Sequence, residues 1–307
     1  MTLPASRLLD PSTLAGIKDL RLVAKTVVEG FLSGLHVDPR PSAGAEFSQY
    51  RSYGPGDDPR RVDWRVYARS DRFFVREAET ERDVTIRILV DASASMASGA
   101  STGDAESGAA ALSAFEYARF AAAALAYLIT LQGDALALHA VAGGTVLDVD
   151  DRRREHALTR ALDLLESLEP SGTWPTVDEV LPHLARRRGR QLVLVLSDLW
   201  DRDDELRRTV LTLRALRHEV LVLHVMARAD LEFPFSGDAV FEDRETGEVI
   251  AGNAERLRAG YLERLDVWLE DWRRVLLEHG VAYQRIATDE PLDQALRSFL
   301  QRRRLLP

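Results

Sequence analysis

Two stretches of the chain are almost unbroken runs of apolar and β-branched residues that end in a carboxylate: Val84-Thr-Ile-Arg-Ile-Leu-Val-Asp91 and Gln191-Leu-Val-Leu-Val-Leu-Ser-Asp198. A run without polar alternation marks a strand buried on both faces, as in a parallel sheet. Val220 to Met226 and Val281 to Ala287 read the same way. Helical periodicity fills the intervals, over roughly 110–132, 152–168, 176–187, 203–217, 253–279 and 291–303. Thr176 followed by Glu179 forms a capping-box pattern at the start of one of these. Ala135 to Val141 and Thr145 to Val149 flank Gly143-Gly144, a hairpin signal that places one antiparallel strand at a sheet edge. Alternating strands and helices predict an α/β fold: a doubly wound, mostly parallel, Rossmann-like sheet with one antiparallel edge strand.

The amino-terminal part has a different texture. Leu14, Ile17, Leu20, Val23, Val27 and Phe31 recur at helical spacing. Residues 33–72 then lose periodicity and become rich in Gly, Pro, Arg and Asp, before a strand is predicted at Phe73 to Ala78. The expected division is therefore residues 1–82, a helix with an Arg/Asp-rich segment, and residues 83–307, the α/β domain. Within the latter, Glu-Thr-Gly-Glu inside Glu242 to Val249 predicts an inserted hairpin near 238–251.

Composition narrows the chemistry. A net charge of -9 and a pI near 5.4 disfavour a polyanion binder, so no nucleic-acid partner is expected. No cysteine is present, which removes disulfides, thiolate metal sites and cysteine nucleophiles. The longest apolar run, Phe120 to Leu131, is about half of the roughly 20 residues a spanning helix needs, so no transmembrane segment is expected. The first residues lack the pattern of a secretory signal, and a cytoplasmic location is the expectation.

In an open parallel sheet ligands bind beyond the carboxyl ends of the strands, where strand order reverses. Asp91 and Asp198 both end strands on that edge, Ser93 and Ser95 follow Asp91 at alternate positions, and Thr173 lies in the loop Ser171-Gly172-Thr173-Trp174. This oxygen-only set suits Mg²⁺, with Mn²⁺ as a substitute. Two carboxylates roughly neutralise a dication, and the hydroxyls leave it electrophilic, so an incoming carboxylate would complete the shell. A metal hydrolase usually adds further carboxylates and a base or nucleophile beside the metal, and none is evident in the sequence. The structural alternative is that the serines cap a helix and the aspartates satisfy loop amides.

Asp91-Ala-Ser93-Ala-Ser95 resembles the start of the metal-ion-dependent adhesion site of von Willebrand factor A domains, and Gly172-Thr173 and Leu196-Ser197-Asp198 resemble its later parts. Upstream, Gly34-Leu-His36, Glu46-Phe47, Arg51-Ser-Tyr53-Gly-Pro-Gly56-Asp57-Asp58-Pro-Arg60-Arg-Val-Asp63-Trp64 and Ala68-Arg69 resemble the bacterial family called domain of unknown function 58. That family couples such a segment to a von Willebrand factor A-like domain, and Phe233-Pro-Phe235 with Glu245-Thr-Gly247 fits its later region. Asp38, Ser42 and Gly44 depart from the family's usual pattern. The resemblance implies partnership with a MoxR-type AAA+ ATPase, in chaperone-like maturation or metal insertion.

Arg51, Tyr53, Asp57, Asp58, Arg60, Asp63, Trp64 and Arg69 are candidate partner-docking residues. The same interleaved charges read more simply as an internal salt-bridge network, with Tyr53 and Trp64 as packing anchors. Taken together, the expected function is a non-enzymatic, metal-dependent protein-binding module that grips an acidic side chain of the ATPase or its client. A Mg²⁺-dependent phosphoester hydrolase and a scaffold with a vestigial metal site are the alternatives.

Overall fold

A computed structural model describes residues 14, 19–33, 49–52, 74–77, 85–99, 112–149, 154–184 and 189–303. The chain divides into two compact units, residues 37–83 and the remainder. In the smaller unit β1 (Gln49–Ser52) pairs antiparallel with β2 (Phe74–Glu77). Arg51 lies on β1 opposite Val75. The other candidate docking residues, Tyr53, Asp57, Asp58, Arg60, Asp63, Trp64 and Arg69, lie outside the described residues.

The larger unit is a mixed α/β fold. Its strands are β3 (Thr85–Asp91), β4 (Ala135–Ala142), β5 (Thr145–Val149), β6 (Leu192–Ser197), β7 (Glu219–Met226) and, after a separate two-stranded hairpin of β8 (Asp238–Glu242) and β9 (Val249–Asn253), β10 (Ala282–Ala287). They form a six-stranded sheet in the order β10-β7-β6-β3-β4-β5. Every pairing is parallel except β4 with β5, the antiparallel edge that Gly143-Gly144 turns. Both glycines have positive φ, which a two-residue hairpin of this kind requires.

Side-chain alternation along β3 sorts the core. Ile86, Ile88 and Val90 face a large apolar cluster, and Leu89 faces a second one on the opposite side of the sheet. Helices α1 (Leu20–Ser33), α2 (Ala114–Leu131), α3 (Arg154–Ser167) and α8 (Leu292–Arg303) supply the first face. The second receives α4 (Val177–Leu184), α5 (Glu205–Ala215) and α7 (Ala254–Glu278). A five-residue helix, α6 (Arg228–Glu232), follows β7. Helix α1, grouped with the Arg/Asp-rich segment on sequence alone, belongs to the larger unit: Val23, Ala24, Val27 and Val28 are buried in its core against α2.

Helix α2 opens on a capping box in which Ser113 and Glu116 satisfy each other's backbone N–H groups. Its alanines let it lie close against β3, and at 18 residues it is long and apolar enough to cross a bilayer. Its apolar surface is instead mostly buried within the core.

Candidate metal centre

Strand order reverses between β3 and β6. The chain leaves β3 for β4 on one side, and returns to place β6 on the other, so the loops that follow the two strands diverge and leave a crevice at their carboxyl ends. Asp91 closes β3 and Asp198 immediately follows β6, so two carboxylates stand at this crevice.

Each is held by local donors. Asp91 accepts the Ser93 backbone N–H at 2.9 Å and the Ser197 hydroxyl at 2.5 Å. The Ser197 Oγ also accepts the N–H of Leu199 at 2.8 Å. Leu199 sits buried at φ 58°, a left-handed conformation that costs a leucine on the order of 1 kcal/mol and turns the chain sharply past Asp198. Asp198 accepts the Trp200 N–H at 3.0 Å, and its own N–H points to the Met96 sulfur at 3.1 Å. Ser93 and Ser95 share a hydroxyl–hydroxyl hydrogen bond of 3.0 Å above the strand end. Residues 94–97 form a single 3₁₀ turn, with Met96 buried as its anchor.

The loop holding Thr173 is tied to the same place through its backbone. Ser171 N–H donates to Ala92 O at 2.9 Å, and Ala94 N–H to Gly172 O at 2.9 Å. Gly172 has φ 68°, and a Cβ there would lie 2.7 Å from the Gly144 nitrogen, so the approach of this loop to the β4–β5 turn requires glycine. Thr173 itself is exposed. Trp174 is buried in the second core cluster, as a loop anchor.

The electrostatics of the crevice are those of crowded acids. Burial pushes the Asp91 carboxyl above the usual carboxylate range, against the pull of its Ser197 and Ser93 bonds. Asp198 is pushed well above that range, by burial first and by the charge of Asp91 second. Although deeply enclosed, Asp198 keeps some surface open to a cavity of about 540 Å³ that Ser95, Trp200, Arg244, Tyr261, Arg264 and Trp268 help to line.

A third acid, from far along the sequence, lies within electrostatic reach of these two. Glu245 lies in the turn between β8 and β9, and its charge helps to raise the Asp198 carboxyl. Burial, then the charge of Asp91, pushes the Glu245 carboxyl up to about 7. One of its oxygens, Oε1, is buried and has no hydrogen-bond partner. Sequence reasoning found no further carboxylate here. The only available signal was the Glu-Thr-Gly-Glu turn, and nothing in a turn motif says what its tip will meet.

The three acids carry charge of one sign, and their mutual repulsion helps to raise Asp198 and Glu245. A cation is the species that such a cluster fits, and hydroxyl and carboxylate oxygens fit a hard one such as Mg²⁺ or Mn²⁺. Among the described residues no three carboxylate, imidazole or thiol groups are gathered closely enough to hold a metal alone. A bound ion would depend on the hydroxyls of Ser93 and Ser95 beside Asp91 and Asp198.

A family model described as "Protein of unknown function DUF58" matches residues 49–267. The chain belongs to the DUF58 family. Among relatives, the uncharacterized proteins Rv1480 of Mycobacterium tuberculosis and Mb1516 of Mycobacterium bovis are each 31% identical over 246 residues, covering 78% of this chain and 73% of theirs. Two solved structures align at low similarity. An aerotolerance-related membrane protein from Bacteroides fragilis is 16% identical with a TM-score of 0.46, over 73% of this DUF58 chain and 100% of that one. The conserved hypothetical protein BatB from Bacteroides thetaiotaomicron is 16% identical with a TM-score of 0.42, over 71% and 97%.

Proposed function

We propose that this DUF58 protein is a metal-dependent protein-binding module of the von Willebrand factor A type. Asp91, Ser93, Ser95 and Asp198, with Thr173 from the adjacent loop, would hold Mg²⁺ or Mn²⁺ in an adhesion site. The observation that carries this reading is the pair of acids at neighbouring strand ends, both held above the ordinary carboxylate range, with the hydrogen-bonded Ser93 and Ser95 hydroxyls at the same strand end. Two carboxylates balance the charge of a dication, so the position left to a partner favours one more anionic oxygen. The acidic side chain would come from a MoxR-type AAA+ ATPase or its client, a partnership implied by the family resemblance. A cytoplasmic setting and docking through Arg51, Tyr53, Asp57, Asp58, Arg60, Asp63, Trp64 and Arg69 belong to the same proposal.

Affinity capture from the native cell, with and without chelator, tests it. Partners should be retained with Mg²⁺, released by chelator and absent from an Asp91→Ala bait. Undiminished capture by Asp91→Ala sinks the reading.

One observation favours a second reading, a Mg²⁺-dependent phosphoester hydrolase. Glu245, whose carboxyl is pushed up to about 7, has the proton affinity expected of a general acid or base at neutral pH. Metal-dependent turnover of generic phosphoesters, lost in Asp91→Asn, would reverse the ranking.

A further inference from the structure

The cavity beside the strand ends holds about 540 Å³, and its wall is mostly apolar. Ser95 and Asp198 line it, so it is continuous with the crevice where Asp91 and Asp198 stand. One face of α7 forms a side of it: Tyr261, Leu265 and Trp268 recur at helical spacing. That side is braced from behind. The Tyr261 hydroxyl donates to Asp230 O at 2.8 Å, and its ring stands 4.7 Å from that of buried Phe233. Trp268 meets the buried rings of His224 and Trp272 edge-on, at 5.5 Å and 6.5 Å. Trp200, two residues past Asp198, lies 6.1 Å from Trp268 and is still 48% exposed. A large ring half in water beside an apolar cavity gains by being covered. Aromatic anchors seated in such pockets carry much of the energy of protein interfaces.

Charge says what kind of segment fits. Arg244, on the hairpin, and Arg264, on α7, line the cavity and are exposed. Two of the acids that share the lining are already engaged. Asp230 accepts the Ser98 hydroxyl, and Asp243 accepts the N–H groups of Glu245 at 2.9 Å and Thr246 at 3.2 Å. Asp198 belongs to the cation site, which leaves two guanidiniums against the exposed carboxylate of Glu242. Resting on the cation-site reading above, we propose that this cavity seats an aromatic side chain of the partner protein, next in sequence to the aspartate or glutamate that completes the metal shell. The partner's segment is then acidic and aromatic together. A metal–carboxylate contact accepts any exposed acid, and the cavity supplies the selectivity that it lacks.

The test uses the full chain and two capped, fluorescein-labelled peptides, read by anisotropy. In one, Gly-Ser-Phe-Asp-Phe-Ser-Gly, an aspartate has phenylalanine on both sides; in the other both phenylalanines are serine. With Mn²⁺ the phenylalanine peptide should bind wild type about tenfold more tightly than the serine peptide. Trp200→Ala should remove that advantage and leave the serine peptide's binding unchanged. Val267→Ala, an exposed position of α7 away from the cavity, should match wild type. If chelator leaves the wild type's binding of both peptides unchanged, or Asp91→Ala binds them as wild type does, the cation-site reading fails and takes this inference with it. If binding depends on Mn²⁺ and Asp91 but the two peptides bind alike, or Trp200→Ala keeps the full advantage, the inference about the cavity alone is overturned.

Discussion

Strand β3 buries two ionisable side chains on the same face, Arg87 and Asp91, and their surroundings could hardly differ more. Arg87 donates through Nε to the Gln191 side-chain oxygen and lies 2.7 Å through Nη1 from His139 Nε2. These two partners, His139 on β4 and Gln191 just before β6, bring polar side chains to the buried guanidinium. Asp91 has donors too, but across the crevice it faces Asp198 and Glu245, whose pKa values its charge raises. The first cluster ties β3 to its two neighbours in the sheet. The second stores repulsion that an outside charge can relieve. A buried ionic group is therefore no sign of function alone; what matters is whether the protein satisfies it.

If that contrast is right, substitutions at the two ends of β3 should act in opposite directions. Arg87→Met should destabilise most, by about 3 kcal/mol, because it removes a buried guanidinium that the Gln191 and His139 side chains contact. Urea unfolding would measure the loss, and Mn²⁺ binding by the folded variant should be unchanged. A smaller loss, about 2 kcal/mol, is expected for Gly172→Ala, which puts a side chain at φ 68° into the β4–β5 turn. Unlike Arg87→Met, it should also weaken Mn²⁺ binding, by moving Thr173.

Asp91→Asn should instead stabilise the metal-free protein, by about 1 kcal/mol at pH 7. The sign follows from proton uptake. With folded-state pKa raised above the ordinary 3.8, the native state binds more protons than the unfolded chain over the interval between the two values. Stability contributed by Asp91 and Asp198 therefore falls as pH rises through that interval. Thermal unfolding in chelator from pH 4 to pH 8 would show the wild type losing ground to Asp91→Asn as pH rises. A difference that is constant with pH would contradict the repulsion.

Much of the sheet could be read from the chain because buried parallel strands announce themselves. The runs before Asp91 and Asp198 have no polar alternation, and Gly143-Gly144 marks the antiparallel edge. The positions of Asp91, Ser93, Ser95 and Asp198 followed from the rule that strand ends at a reversal carry sites. What the chain concealed was long-range. Arg87 reads as a polar interruption in an apolar run, and only the register of β3 with β4 and β6 explains its partners. Glu245 reads as a turn residue, since local chemistry specifies the hairpin and not where its tip docks. Thr173 was legible as a loop position, but its approach depends on Gly172 packing against Gly143 and Gly144.

The repulsion between Asp91 and Asp198 has its most direct test in calorimetric titration of the wild type and Asp91→Ala with Mn²⁺ at several pH values. The wild type should take up an ion with release of protons, more tightly as pH rises and the two acids ionise, while Asp91→Ala should show no binding at millimolar ion. No heat from the wild type at millimolar Mn²⁺ across that range, or equal binding by Asp91→Ala, would contradict a cation site at the ends of β3 and β6.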